Sequence, residues 1–169
     1  MTDPPAPRPA VGTRPTTVML LRAAGCVFAE EEARLLAEAA TTPDHLDALV
    51  ERRVSGLPLE HLLGWAEFCG LRIEVDTGVF VPRRRTELLV REAARILGES
   101  GGTGRTPVVV DLCCGSGAVG TALAALAGPV ELHASDVDPA AVRCAVRNIA
   151  PRGGEVHEGN LYDPLPERL

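Results

Sequence analysis

The 169-residue chain is 46% apolar and 24% charged, an ordinary globular composition that excludes wholesale disorder and fits one domain or two small ones. All 17 basic residues are arginine, set against 23 acids for a net charge of −6, and neither half has the basic excess that gripping nucleic-acid phosphates requires. The five cysteines (Cys26, Cys69, Cys113, Cys114, Cys144) are odd in number and match neither a disulfide framework nor a zinc spacing, so a reducing, cytoplasmic setting fits.

Residues 1–15 carry five prolines and no apolar run, and read as a disordered tail rather than a signal peptide. Residues 17–24 and 28–40 read as helices, the second with Glu30, Glu31 and Glu32 in its first turn, where the helix dipole favours acids. Thr42 as N-cap and Pro43 at the first position open a third helix, whose stripe of Leu46, Leu49, Val50 and Val54 ends at Gly56. Together they predict a small helical bundle over residues 16–63. The period then changes. Residues 65–68 and 71–76 read as two strands around Cys69-Gly70, with Leu71, Ile73 and Val75 alternating against Arg72 and Glu74. Residues 79–81 make a third extended piece before Pro82, and residues 86–97 a helix with Leu89, Ala93, Ile96 and Leu97 inward. Residues 64–97 are thus a hairpin and connecting helix, and residues 98–107, with four glycines and a proline, a linker.

Beyond the linker, Val108-Val109-Val110 is a continuous apolar strand of the doubly buried kind. An alanine-rich helix (118–127), a strand (130–135), a helix opened by Asp138 and Pro139, and the start of a strand at 155–157 follow. This β-α-β-α-β order demands an α/β fold with a parallel, right-handed, doubly wound sheet. Residues 108–169 suffice for about half of such a sheet, so Leu169 is expected to be a truncation point that leaves a bare apolar edge on the last strand. The uncharged run 112–130 is broken by four glycines and a proline and does not read as a membrane span.

The run from Asp111 to Gly120 (DLCCGSGAVG) lies where parallel sheets bind ligands, between the end of the first strand of that sheet and the following helix. Read literally, Gly115-x-Gly117-x-x-Gly120 is a dinucleotide fingerprint whose chemistry is a pyrophosphate on a helix N-terminus. Asp111 opposes that reading, because a carboxylate repels a diphosphate and welcomes a cation. S-adenosyl-L-methionine carries an ammonium and a sulfonium and no phosphate. Asp136 ends the second strand 25 residues after Asp111, the spacing at which a carboxylate takes ribose hydroxyls of either ligand.

Asp111, Gly115 and Gly117 with Asp136 resemble the pattern of class I methyltransferases. Upstream, residues 78–90 (GVFVPRRRTELLV) resemble one family among them, the release-factor glutamine N5-methyltransferases (PrmC/HemK), as do Arg53, Gly56, Pro58 to Gly64 and Phe68. The resemblance covers residues 16–169. It implies a helical substrate-binding bundle, a β-hairpin linker and an incomplete Rossmann-like methyltransferase domain. The implied cofactor is S-adenosyl-L-methionine, touched by Asp111, Cys113, Cys114, Gly115, Ser116, Gly117, Asp136, Asn160 and Leu161. Phe80, Pro82, Arg83, Thr86 and Glu87 are implied to touch the substrate, a glutamine in the Gly-Gly-Gln motif of a peptide-chain release factor. The protein is expected to be cytoplasmic and monomeric, with no membrane or direct nucleic-acid partner.

Several positions depart from the family pattern. Cys113 stands at a usual glycine, Arg85 at a usual aspartate, and Asn160 where an acid often follows the third strand. The family's catalytic Asn-Pro-Pro-Tyr is expected beyond Leu169, so the chain as it stands is expected to give no turnover and weak or no cofactor binding. Bland readings compete: Arg83-Arg84-Arg85 as a solvated turn, Thr86 as an N-cap, Glu87 as a first-turn acid, and Cys113-Cys114 as packed thiols. His45, His61, His133 and His157 share no ligand spacing along the chain, and no metal site is expected. Three rival functions stay open: a non-catalytic partner-binding fragment, an NAD-dependent oxidoreductase, and an amino-directed nucleic-acid methyltransferase.

Overall fold

A computed structural model describes residues 15–100 and 105–169, and the chain divides into two compact units, one up to Leu63 and one from Gly64. The expected tail up to residue 14 and the central residues 101–104 of the expected linker lie outside the described residues.

The first unit packs four helices: α1 (Pro15–Ala23), α2 (Ala29–Ala39), α3 (Pro43–Val54) and the short α4 (Leu59–Leu63). Its core is Leu21, Ala29, Ala33, Leu36, Leu46, Leu49 and Val50, where alanines at helical spacing on α2 let the helices approach closely. α3 starts as its sequence dictates, with Thr42 accepting from the His45 N–H at 3.1 Å and Pro43 at the first position. Arg53, on the last turn of α3, joins α2 through Glu32 at 2.7 Å and donates to the Leu57 carbonyl at 3.2 Å. It fixes the chain reversal that leads into α4. That helix has only five residues, too few to show a period in sequence.

In the second unit, β1 (Trp65–Phe68) and β2 (Leu71–Glu74) pair antiparallel. Their turn puts both Cys69 (φ 52°) and Gly70 (φ 74°) in the left-handed region, the requirement of a two-residue hairpin loop. β2 ends two residues short of expectation because Asp76 opens a turn that the Val79 N–H closes at 3.0 Å. Residues 79–81, expected as a strand, join neither sheet and run into Pro82, which has no N–H to offer a ladder. A 3-10 turn (Arg84–Thr86) then leads into α5 (Glu87–Ser100). α5 overruns the expected linker boundary at residue 98, with Arg95 pairing Glu99 at 2.6 Å across that point. Its inward face also differs: Val90 is fully buried and Ala93, Ala94 and Leu97 pack on the core, whereas Leu89 and Ile96 are more than half exposed. The stripe is phased from Val90 (i, i+3, i+4, i+7).

β3 (Val108–Leu112), α6 (Ala118–Ala127), β4 (Glu131–Asp136), α7 (Pro139–Ile149) and β5 (Glu155–Glu158) complete the unit. The three strands form a parallel sheet in the order β3-β4-β5, as the alternating pattern requires. Asp138 caps α7 by accepting from the Ala140 N–H at 2.8 Å, with Pro139 at the first helical position. The core joins Phe68, Ile73 and Val75 of the hairpin region to Val90 of α5 and Ala118, Ala122 and Leu123 of α6. A second cluster holds Leu132, Ala134, Ala145 and Ile149 between sheet and α7. Asn148 ties the hairpin to the loop after β3: its Oδ1 accepts from Glu74 N–H at 2.9 Å, and its Nδ2 donates to the Ser116 carbonyl at 2.8 Å. The last strand is not the apolar edge expected, because β5 carries Glu155, His157 and Glu158. Among the described residues no helix is long and apolar enough to cross a membrane.

Candidate functional site

The C-terminal ends of β3 and β4 open into a cavity of about 480 Å³. Its lining includes Asp111, Cys113, Cys114, Gly115 and Ser116 from the loop after β3, Asp136 and Asp138 after β4, and Phe80, Pro82, Arg83 and Thr86 from the segment before α5. Most residues singled out in the sequence therefore meet at one place. Gly117, Glu87, Asn160 and Leu161 lie outside the lining. Glu87 is engaged structurally, its Oε1 accepting from the Cys69 N–H at 3.3 Å and its Oε2 from Arg91 at 2.8 Å. Asn160 and Leu161 are exposed, with the Leu161 carbonyl accepting from Ser135 Oγ at 2.6 Å. Arg84 and Arg85 are exposed as well and also lie outside the lining.

The loop is built by carboxylates gripping backbone. Asp111 Oδ2 accepts from the Gly120 N–H at 2.8 Å, one of the donors left over in the first turn of α6. Gly117, the N-cap of that helix, has no side chain for the task. A Cβ on Gly120 would sit 3.1 Å from that carboxylate oxygen, so the third glycine of the motif admits the acid rather than a phosphate. Gly117 takes φ 73°, and a Cβ there would meet Ile149 Cδ1 at 2.8 Å. Asp136 Oδ2 accepts from the Gly115 N–H at 2.8 Å and its Oδ1 from the Asp138 N–H at 3.0 Å. The Cys114 N–H goes to the Ser135 carbonyl at 3.1 Å and the Gly117 N–H to the Cys114 carbonyl at 2.8 Å.

These bonds decide what the loop can bind. A pyrophosphate site needs free amides converging on an anion. Here the amides of residues 114, 115, 117 and 120 are already engaged, two of them by the carboxylates that face the cavity. With Asp111, Asp136 and Asp138 against Arg83 alone, the lining favours a cation. Burial pushes the Asp111 carboxyl up to about 6, the Gly120 N–H pulling against it and the charge of Asp136 adding to it. Above that pH it is ionised. Burial, helped by the charges of Asp111 and Asp136, pushes the Cys114 thiol up to about 12, so it stays protonated and is no nucleophile. Cys113 is exposed and held at φ 54°, a conformation that suits glycine. Phe80, 65% exposed, has the Arg83 guanidinium 5.3 Å from its ring centroid, and the two form a cationic aromatic wall.

Sequence reasoning missed Gly78 and Val119 in the lining, and also Leu89, which it placed inward. Thr77-Gly78 was a visible turn signal for the first; the other two depend on how α5 and α6 are rotated. It also missed a group away from the cavity, because the sheet gathers His133, Glu155 and His157 although nothing in their spacing suggests it.

Residues 72–169 match the family model of the methyltransferase small domain. The chain is 36% identical over 134 residues to a release factor glutamine methyltransferase of Geobacter sulfurreducens, an alignment that covers 75% of this chain and 44% of that protein. It is 39% identical over 121 residues to the release factor glutamine methyltransferase of Mycolicibacterium smegmatis, covering 70% of this chain and 41% of the relative. It is 36% identical over 119 residues to the 4-amino-L-phenylalanine/4-methylamino-L-phenylalanine methyltransferase of Streptomyces pristinaespiralis, again covering 70% and 41%. The chain spans less than half the length of these curated relatives.

Proposed function

The chain belongs to the methyltransferase small domain family, and on that basis we propose that its second unit holds S-adenosyl-L-methionine for methyl transfer to a nitrogen. The observation that carries this reading is the pair of carboxylates, Asp111 and Asp136, that line the cavity and engage the amides of Gly120 and Gly115 in its loop. Such a site fits a cationic nucleoside and repels the diphosphate of a nicotinamide dinucleotide. Its volume of about 480 Å³ lies within the usual range for cofactor pockets. The sulfonium group makes the methyl carbon electrophilic, so no metal is needed for transfer.

In this reading Asp111 pairs with the ammonium of the methionine moiety while its Oδ2 keeps the Gly120 N–H. Asp136 offers its remaining lone pairs to the ribose hydroxyls, and the backbone of Cys113 to Gly117 lies beneath the ligand. Asn160 and Leu161 serve the adenine end, directly after Gly159, whose N–H donates to the Asp136 carbonyl at 2.9 Å. Phe80, Pro82, Arg83 and Thr86 form the wall that meets the acceptor, with Glu87 holding that segment to the hairpin.

The acceptor we propose is a protein glutamine, by analogy with the release factor glutamine methyltransferases that the chain is similar to, with the helical unit of residues 16–63 as the docking element. A second reading is favoured by the similarity to a methyltransferase acting on 4-amino-L-phenylalanine. Amide and aryl-amine nitrogens share a delocalised lone pair, so both require groups that align the nitrogen in line with the methyl carbon, a positional form of catalysis. The residues present supply the cofactor side of such a site. The protein works in the cytoplasm as a monomer, without direct nucleic-acid contact.

Amide chemical-shift mapping tests the cofactor assignment. S-adenosyl-L-methionine is expected to move the signals of residues 111–117 and 136, and NADH to leave them in place. Shifts with NADH and none with S-adenosyl-L-methionine would refute it.

A further inference from the structure

We propose that His133, Glu155 and His157 form a three-ligand binding site for a divalent transition cation, zinc by its ligand set, that pins β5 to β4. The register pairs His133 with Glu155 and Ser135 with His157. Because side chains alternate along a strand, His157 falls on the same face as Glu155. His133 Nδ1 lies 3.2 Å from His157 Nε2, and Glu155 Oε2 lies 3.8 Å from each of these nitrogens. Tetrahedral zinc, with bonds of about 2.0–2.1 Å, needs its ligand atoms roughly 3.3 Å apart. The two nitrogens already meet that spacing. The carboxylate misses it by about half an ångström, and its side chain is 63% exposed and free to swing in.

The surroundings of His133 are those of a metal-bound imidazole. Its side chain is buried, and its far nitrogen, Nε2, lies 3.1 Å from Glu131 Oε1, which Arg168 Nη1 holds at 2.6 Å. Donation from Nε2–H to that carboxylate leaves the Nδ1 lone pair directed at His157, the outer-shell arrangement that fixes the tautomer of metal-ligating histidines. Both imidazoles bind in the neutral form, His133 through Nδ1 and His157 through Nε2 with its proton on Nδ1. The ring centroids lie 5.5 Å apart with 24° between planes, so the two nitrogens face each other as in a hydrogen bond, and each ring must turn by roughly 40° to aim its lone pair at a shared ion. Two imidazoles and one carboxylate, with a fourth position left to water, suit zinc over calcium or magnesium.

The test uses the full chain, stripped with a chelator and then dialysed against zinc or cobalt(II). One equivalent of zinc is expected, with the intense visible absorption of tetrahedral cobalt and a zinc-dependent rise in the unfolding midpoint. His157→Ala and Glu155→Ala should each weaken binding more than Glu131→Gln, for which a loss of roughly ten- to a hundredfold follows from its outer-shell role. Glu155 is exposed, so that variant keeps the fold even if the histidine variant does not, and circular dichroism checks both. Sub-stoichiometric zinc, undiminished binding by Glu155→Ala, or a cobalt spectrum with thiolate charge-transfer bands pointing to the cysteines would each overturn the assignment.

Discussion

Replacing Asp111 with asparagine separates what the carboxylate does for the fold from what it does for a ligand. Burial raises its pKa from 3.8 to about 6, so the folded state holds this proton more tightly than the unfolded chain does. The sign follows from linkage: below about pH 4 the group is neutral in both states and has no effect, and as pH rises through about 6 the folded state must ionise a buried acid and loses stability. The rise from 3.8 to about 6 corresponds to about 3 kcal/mol, reached above pH 6 and already net of the favourable bond from the Gly120 N–H. Asparagine keeps an oxygen to accept that N–H and carries no charge. The variant is therefore expected to match the parent near pH 4 and to exceed it by up to about 3 kcal/mol at pH 8. Trp65 is the single tryptophan and belongs to the second unit, so urea unfolding followed by its fluorescence reports on this part of the chain. Titrations shared by both proteins cancel in the difference. A difference that is flat with pH, or a variant less stable at pH 8, would refute the reasoning. The same variant should bind S-adenosyl-L-methionine more weakly, the expected trade of stability against function at a binding acid.

Three further substitutions probe the loop and its supports. Cys113→Gly relieves a side chain held at φ 54° and should stabilise the second unit by about 1 kcal/mol in the same urea assay, while leaving more room over the loop. Gly117→Ala places a Cβ 2.8 Å from Ile149 Cδ1 at φ 73° and should cost about 2–4 kcal/mol, read as a lowered thermal midpoint. Asn148→Leu leaves the Glu74 N–H and the Ser116 carbonyl without their partner. A loss of about 2–4 kcal/mol is expected, with faster hydrogen exchange at the Glu74 amide; unchanged exchange there would show that the tie is unimportant.

Local chemistry made much of this protein legible in sequence. Thr42-Pro43 and Asp138-Pro139 cap α3 and α7 because a side-chain acceptor and a proline act on their own first turns. Gly115 and Gly117 take positive φ, and Asp111 and Asp136 stand at the carboxyl ends of adjacent strands of a parallel sheet, as a β-α-β-α-β order requires. Other features had no local signal. Residues 79–81 have the look of a strand, yet among the described residues they belong to neither sheet. The rotation of α5 follows from Val90 seating in the core rather than from the equally apolar Leu89. Asp111 reaching Gly120, Asn148 bridging hairpin and loop, and His133 meeting His157 all join atoms far apart along the chain. Caps, turns and periodicity act over a few residues and can be read from the chain itself. Which side chains meet across strands and helices depends on register and on the face each element buries, and those are settled only when the core packs.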